Sequence, residues 1–282
     1  MKHPIRTDLA VEARSLHLAD GVLQGVTAEE AEQDGFSVTT VRVTSEEGSK
    51  KLCKPTGVYH TIVLEPVLRR EDDAFARAVG VLSGLVQETL PLSPEQTVFV
   101  VGLGNRAITP DAVGPESAEQ ILATRHLRAQ LPEQFMQMRG VSVLSPGVLG
   151  MTGIESAEMV KTLCAFVQAD AVVVIDALAC SEADRLCRTV QITDAGIVPG
   201  SGVGNDRAAF DRDSLGVPVV AIGVPTVMDA GIVSDAPNVQ GLFITPRDID
   251  AIVKDFSKVV AYAVNLALQP DLSISDLDLL LS

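Results

Sequence analysis

An α/β fold in three layers is the architecture this sequence predicts: a mostly parallel central sheet, helices on both faces, and an N-terminal antiparallel β segment. Three observations predict it. Short, mainly apolar runs at 97–101, 171–175 and 217–222 read as strands buried on both faces. Helical patterns alternate with such runs from residue 71 onward, as in a chain that crosses back and forth over one sheet. The composition is 46% hydrophobic but only 4% aromatic, with no Trp, so the core is built from Val, Leu, Ile and Ala. The 282 residues are read as one domain over 1–282, with a β-rich N-terminal subregion at 36–65 and an α/β core at 71–268.

Residues 1–35 are polar and acidic, with weak helical patterning. "FSVTTVRVT" at 36–44 alternates apolar and polar residues, the mark of a half-buried strand. "SEEGSKK" follows as a turn, and "VYHTIVL" at 58–64 supplies the second strand of an antiparallel pair. Over 71–90, Phe75, Val79, Val81, Leu82, Leu85 and Val86 mark an apolar face of a helix. A strand at 97–101, a helix at 116–130 and a strand at 141–144 come next. Thr152 and Glu155 have capping-box spacing for a helix over 155–168. Strands at 171–175, 189–192 and 217–222 complete the sheet. Thr245 and Pro246 then read as cap and first residue of a long helix running to about Leu268, followed by an amphipathic tail.

The net charge of −15 lacks the basic footprint that nucleic acid or an anionic membrane surface requires. No apolar run reaches the roughly 20 residues of a membrane span. Four cysteines without a C-x-x-C pair do not make a disulfide framework. The start of the chain has no apolar signal core, so the expected location is the cytoplasm.

The chemistry concentrates in "VGLGNRAITPDAVGP" at 101–115. It opens as a phosphate loop would, with Gly102 and Gly104 after a strand. A dinucleotide site also needs an acid at the end of the second strand, and that strand ends in Ser145-Pro146; the Walker lysine is absent as well. Asp111 lies just past the strand at 97–101, and Asp176 ends the strand at 171–175. In a parallel sheet both fall at the carboxyl edge, where open α/β folds build their sites. Two carboxylates in one crevice share a proton, and such a pair can deprotonate water and protonate a leaving amide. Spacing alone leaves open the alternative that Asp111 caps a helix and Asp176 merely ends a strand. His3, His17, His60 and His126 form no H-E-x-x-H, and no G-x-S-x-G elbow is present; no metal site or cofactor is expected.

Six blocks in order, "RTDLAVEA" at 6–13, "VGLGNRAITPDAVGP" at 101–115, "SPGVLGMTGIES" at 145–156, "VVIDALA" at 173–179, "PGSGVGNDR" at 199–207 and "GVPTVMDA" at 223–230, resemble the germination protease family of spore-forming bacteria. More remotely the chain is similar to the endopeptidases that mature hydrogenases. The resemblance implies an endopeptidase that degrades small acid-soluble spore proteins in the spore core, with Asp111 and Asp176 as its functional acids. Gly102, Gly104 and Asn105 are then expected to shape the loop or contact substrate. It also implies a homotetramer and a zymogen that processes itself near its N-terminus. Family substrates are cut after an acid and before a large apolar residue, followed by Ala, a variable residue and Glu. Asp8-Leu9-Ala10-Val11-Glu12 has that form, which places self-cleavage between Asp8 and Leu9 and a prosegment at 1–8. That segment, and the chain as a whole, are shorter than the family pattern, so surface insertions are expected to be missing. The alternatives are a metal-dependent maturation peptidase and a non-catalytic peptide-binding protein of the same fold.

Overall fold

The computed structural model describes residues 7–17, 23–135, 137–204, 207–234, 236, 239 and 241–281. Nine strands among them form one mixed sheet: β1 (Val26–Gln33), β2 (Phe36–Val43), β3 (Gly57–Val63), β4 (Val98–Gly102), β5 (Val141–Leu144), β6 (Ala171–Cys180), β7 (Thr189–Thr193), β8 (Val219–Asp229) and β9 (Phe243–Ile244). Their order is β1-β2-β3-β7-β8-β6-β4-β5, with β9 paired to the end of β8. The four strands β8, β6, β4 and β5 run parallel and carry the core. The N-terminal strands join them antiparallel through β3 and β7, so the predicted β segment extends the same sheet.

Twelve helices accompany the described strands: α1 (Ala10–His17), α2 (Glu46–Leu52), α3 (Glu65–Leu68), α4 (Ala74–Thr89), α5 (Val113–Ala118), α6 (Arg125–Gln130), α7 (Pro132–Phe135), α8 (Leu149–Thr152), α9 (Ser156–Val167), α10 (Arg212–Leu215), α11 (Ile249–Leu268) and α12 (Ile274–Leu280). Alternate residues of each buried strand serve opposite faces, which sets the layers. Val173, Ile175, Val220 and Ile222 pack under α4 and α11. Val172, Val174 and Val219 face the other way, onto Val160 and Cys164 of α9. At the upper end of that second face, Leu178, Cys180 and Met228 are covered by Leu9, Val11 and Ala13.

Several elements differ from the sequence reading. "SEEGSKK" is the helix α2, not a turn, because the Ser45 hydroxyl accepts from the Gly48 N–H and caps it. The polar stretch before residue 36 contains β1, an edge strand exposed along nearly its whole length, so no burial pattern betrays it. The helix expected at 116–130 is broken into α5 and α6, where the Asn265 side chain of α11 bonds Gln120 and Leu122 of the connecting turn. Thr152 closes α8 instead of capping α9, and α9 starts after Glu155 without a side-chain cap. Thr245 donates to the Thr226 carbonyl, and α11 begins only at Ile249. β6 and β8 both run well past their predicted ends.

Candidate active site

The unequal lengths of β4 and β6 create the site. β4 pairs with β6 only as far as Gly102 opposite Ile175, so Asp176 is the first β6 residue beyond its neighbour's end. It therefore lies within a strand, not at its terminus, yet still opens on the carboxyl edge of the sheet. Its Oδ1 accepts from the Ala177 N–H at 2.9 Å.

Asp111 reaches the same place from the loop after β4. That loop turns at Gly104, whose φ is +120°; a Cβ there would lie 2.1 Å from the Asp111 carbonyl oxygen. Only glycine fits both constraints. Asp111 ends a short 3-10 turn, Thr109–Asp111, and its Oδ2 accepts from the Asn105 N–H at 2.8 Å. The Asn105 side chain accepts from the Ala107 N–H and braces the turn. The buried Thr226 of β8 donates to the Pro110 carbonyl at 2.6 Å, fastening the turn to the sheet. Gly102 acts elsewhere: a Cβ on it would sit 2.1 Å from the Gly114 carbonyl oxygen, so it lets α5 lie close on β4.

Asp111, Asp176 and Asp8 all line one crevice of about 600 Å³, with Ile108, Val203 and Phe243 on its apolar walls. Arg207 at the rim pairs with Glu155 at 3.1 Å. Burial raises the Asp111 carboxyl above its ordinary range, opposed by the Asn105 N–H. Asp176 is raised well above that range, by burial first and by the charge of Asp111 next, with the Ala177 N–H opposing and Asp8 adding a smaller push. The two acids thus feel one another. A site that holds one proton between two carboxyl groups supplies a base for water and an acid for a leaving group together.

The thiols nearby are unsuited to attack. All four cysteines are free, and burial pushes Cys187 up to about 12 and Cys180 higher still. Among the described residues no three His, Cys, Asp or Glu side chains converge as a cation site would require. None of the described helices is long and apolar enough to cross a membrane.

The N-terminal segment is docked beside the acids; residues 1–6 of the expected prosegment lie outside the described residues. The Asp8 N–H donates to the Ala179 carbonyl at 2.9 Å, and Asp8 Oδ2 accepts from the Ala179 N–H at 2.8 Å. Ser201 Oγ donates to Asp8 Oδ1 at 2.6 Å. Leu9 is wholly buried. Gln191 brackets it, donating to the Asp8 carbonyl at 3.2 Å and accepting from the Ala10 N–H at 2.8 Å. Four residues on, the buried Glu12 carboxylate accepts from the Thr7 hydroxyl, the Ser181 N–H and hydroxyl, and the Glu182 N–H.

Sequence reasoning did not single out Thr226, Gln191 or Ser201 for these parts. Thr226 and Ser201 sit inside blocks already noted at 223–230 and 199–207, and Gln191 is the lone amide in the strand at 189–192. Residues 205–206 of the glycine-rich block at 199–207 lie outside the described residues.

Comparison with known proteins gives a consistent family. The chain is 40% identical to the germination protease of Caldanaerobacter subterraneus subsp. tengcongensis, over 98% of each chain. It is 37% identical to that of Clostridium perfringens, over 97% of this chain and 98% of that one. With the germination protease of Priestia megaterium it shares 38% identity over 91% of this chain and 69% of the relative. The first alignment spans 318 positions against 282 residues here, so insertions in that relative are missing from this chain. A solved [NiFe] hydrogenase maturation protease from Thermococcus kodakarensis superposes with a TM-score of 0.38 at 18% identity, over 64% of this chain and 98% of that one. The family model described as germination protease matches residues 6–239, and on that match and the identities with the germination proteases the chain belongs to the germination protease family.

Proposed function

We propose that this chain is an endopeptidase of spore germination that hydrolyses peptide bonds through Asp111 and Asp176. The observation that carries the reading is the pair itself: two carboxyl groups in one crevice, each raised by burial, with the charge of one raising the other. Asp176, the more deeply buried, holds the proton. Asp111, whose anion is steadied by the Asn105 N–H, is the base. Asp111 takes a proton from water as the water oxygen bonds to the peptide carbonyl carbon. Asp176 gives its proton to the amide nitrogen as the C–N bond breaks, leaving a carboxylic acid and an amine.

The substrates are small acid-soluble spore proteins, cut after an acid and before a large apolar residue, in the spore core. The apolar walls of the crevice, among them Ile108, Val203 and Phe243, support a large apolar residue in the substrate. Self-cleavage falls between Asp8 and Leu9. Leu9 is buried and the Asp8 carbonyl is engaged by Gln191, so the segment shifts before that bond is cut. The working form is a homotetramer, by family likeness.

The test is replacement of each acid by its amide, Asp111→Asn and Asp176→Asn, with folding checked by circular dichroism. Both variants should lose at least about a thousandfold in kcat on a spore-protein substrate, in line with removal of an essential acid or base. Near-normal cleavage by both folded variants would refute the acid pair.

A further inference from the structure

Ser201 and Gly202 of the glycine-rich block have no part in the acid pair, yet they lie against the Asp8 carboxylate. We propose that Ser201, Gly202 and the main chain of Ala179 form a receptor for an acidic side chain of the peptide to be cut, filled here by Asp8 of the chain itself. The proposal rests on the peptidase reading above and adds to it the residues that select the substrate.

Three observations carry it. First, the carboxylate is held at both oxygens, by the Ala179 N–H at 2.8 Å and the Ser201 hydroxyl at 2.6 Å, while its own N–H returns a bond to the Ala179 carbonyl at 2.9 Å. Main chain and side chain are gripped together, so the receptor reads an acidic residue at one place in the bound segment. Second, the space is shaped to the carboxylate. A Cβ on Gly202 would stand 2.3 Å from Asp8 Oδ2 and 2.6 Å from the Ala179 Cβ, so only a bare residue leaves room. Third, Asp8 lines the same crevice as Asp111 and Asp176, so a residue seated there lies next to the reacting groups.

The direct donors are neutral. Two cations stand farther off: Arg207, paired with Glu155 at the rim of the crevice, and Lys54, whose Nζ donates to the Thr7 carbonyl and whose ammonium, pushed down by burial, is pushed back up by Asp8. An acid held by neutral donors exchanges with another acid, and an aspartate or glutamate of the substrate is that competitor.

The experiment compares two peptides that differ only in Glu or Gln before the cut bond. The full-length chain should favour the Glu peptide in kcat/KM, and Ser201→Ala should cut that preference about tenfold, through KM, as expected for one hydrogen bond to a charged group. Gly202→Ala should abolish it. Because Gly202→Ala can fail to fold, binding is measured separately, by fluorescence anisotropy of a labelled, non-cleavable Glu peptide. Asp8→Ala should bind it about tenfold more tightly than the unaltered chain, and Asp8→Ala with Ser201→Ala should lose that gain. An unchanged Glu/Gln preference in Ser201→Ala, or no tightening in Asp8→Ala, overturns the receptor. Should the amide variants of Asp111 and Asp176 stay active while these binding results hold, the acid pair fails and the receptor stands.

Discussion

Glu12 offers the sharpest quantitative test of how the N-terminal segment is held. Its carboxylate is fully buried and accepts four hydrogen bonds, three of them on Oε2. Glu12→Gln preserves the shape. With its carbonyl oxygen in the Oε2 position, it keeps the bonds from Thr7 and Ser181 but turns an NH₂ toward the Glu182 N–H. Hydrogen bonds to a charged acceptor contribute roughly 1.5–3 kcal/mol and neutral ones roughly 0.5–1.5. Three bonds therefore weaken by about 1 kcal/mol each, and the fourth is lost. Shared acceptors make such losses less than additive, so the segment is destabilised by about 2–4 kcal/mol. This is a rise of roughly 30- to 900-fold in its opening equilibrium. The assay is amide hydrogen exchange at Ala10 to Ala13 and at Ser181 and Glu182. Protection there should fall by that factor, while β4 and β6 keep theirs, because the segment opens locally before the sheet unfolds. Unchanged protection in Glu12→Gln would refute the claim that this carboxylate anchors the segment.

Two further outcomes follow from the site. Thr226→Val keeps the bulk but removes the bond to the Pro110 carbonyl, so it should cost about 1–2 kcal/mol in chemical denaturation and lower kcat more than it changes KM; an equal effect on a variant of a remote buried Thr would discount the positioning role. Asp176 has a folded-state value above its unfolded one, so its contribution to stability is full at low pH and is lost as pH rises through the elevated value. Asp176→Asn, fixed in the uncharged form, should match the parent in thermal melting near pH 3 and overtake it as pH increases; a variant that stays level or falls behind across the range contradicts the burial argument.

Much of the fold was legible because the physics that dictates it is local. The runs at 98–101 and 171–175 are apolar throughout since both faces of those strands are covered. What escaped depended on distant partners or on none. β1 offers little apolar pattern because only the side chains at its start, Val26 and Ala28, meet the core and the rest is exposed, although Asp34-Gly35, both at positive φ, is a hairpin signal that the reading at 1–35 passed over. The break between α5 and α6 is dictated by Asn265, more than 140 positions away. Asp176 looked like a strand terminator because a carboxyl group in a buried strand contradicts the usual pattern, and such a contradiction is what a functional residue produces. Asp111 and Asp176 could be named from their blocks, whereas the partnership of Asp8 with Ser201 spans 193 positions and has no local signature.

The outermost strand of the sheet carries Glu29, Glu30 and Glu32 along an uncovered border. Main-chain donors and acceptors there would otherwise invite a neighbouring molecule to add its own ribbon. Two such borders brought face to face would oppose like charges rung by rung. Copies of this polypeptide are therefore kept from lengthening the sheet at that end, and any assembly they form must be built from other surfaces.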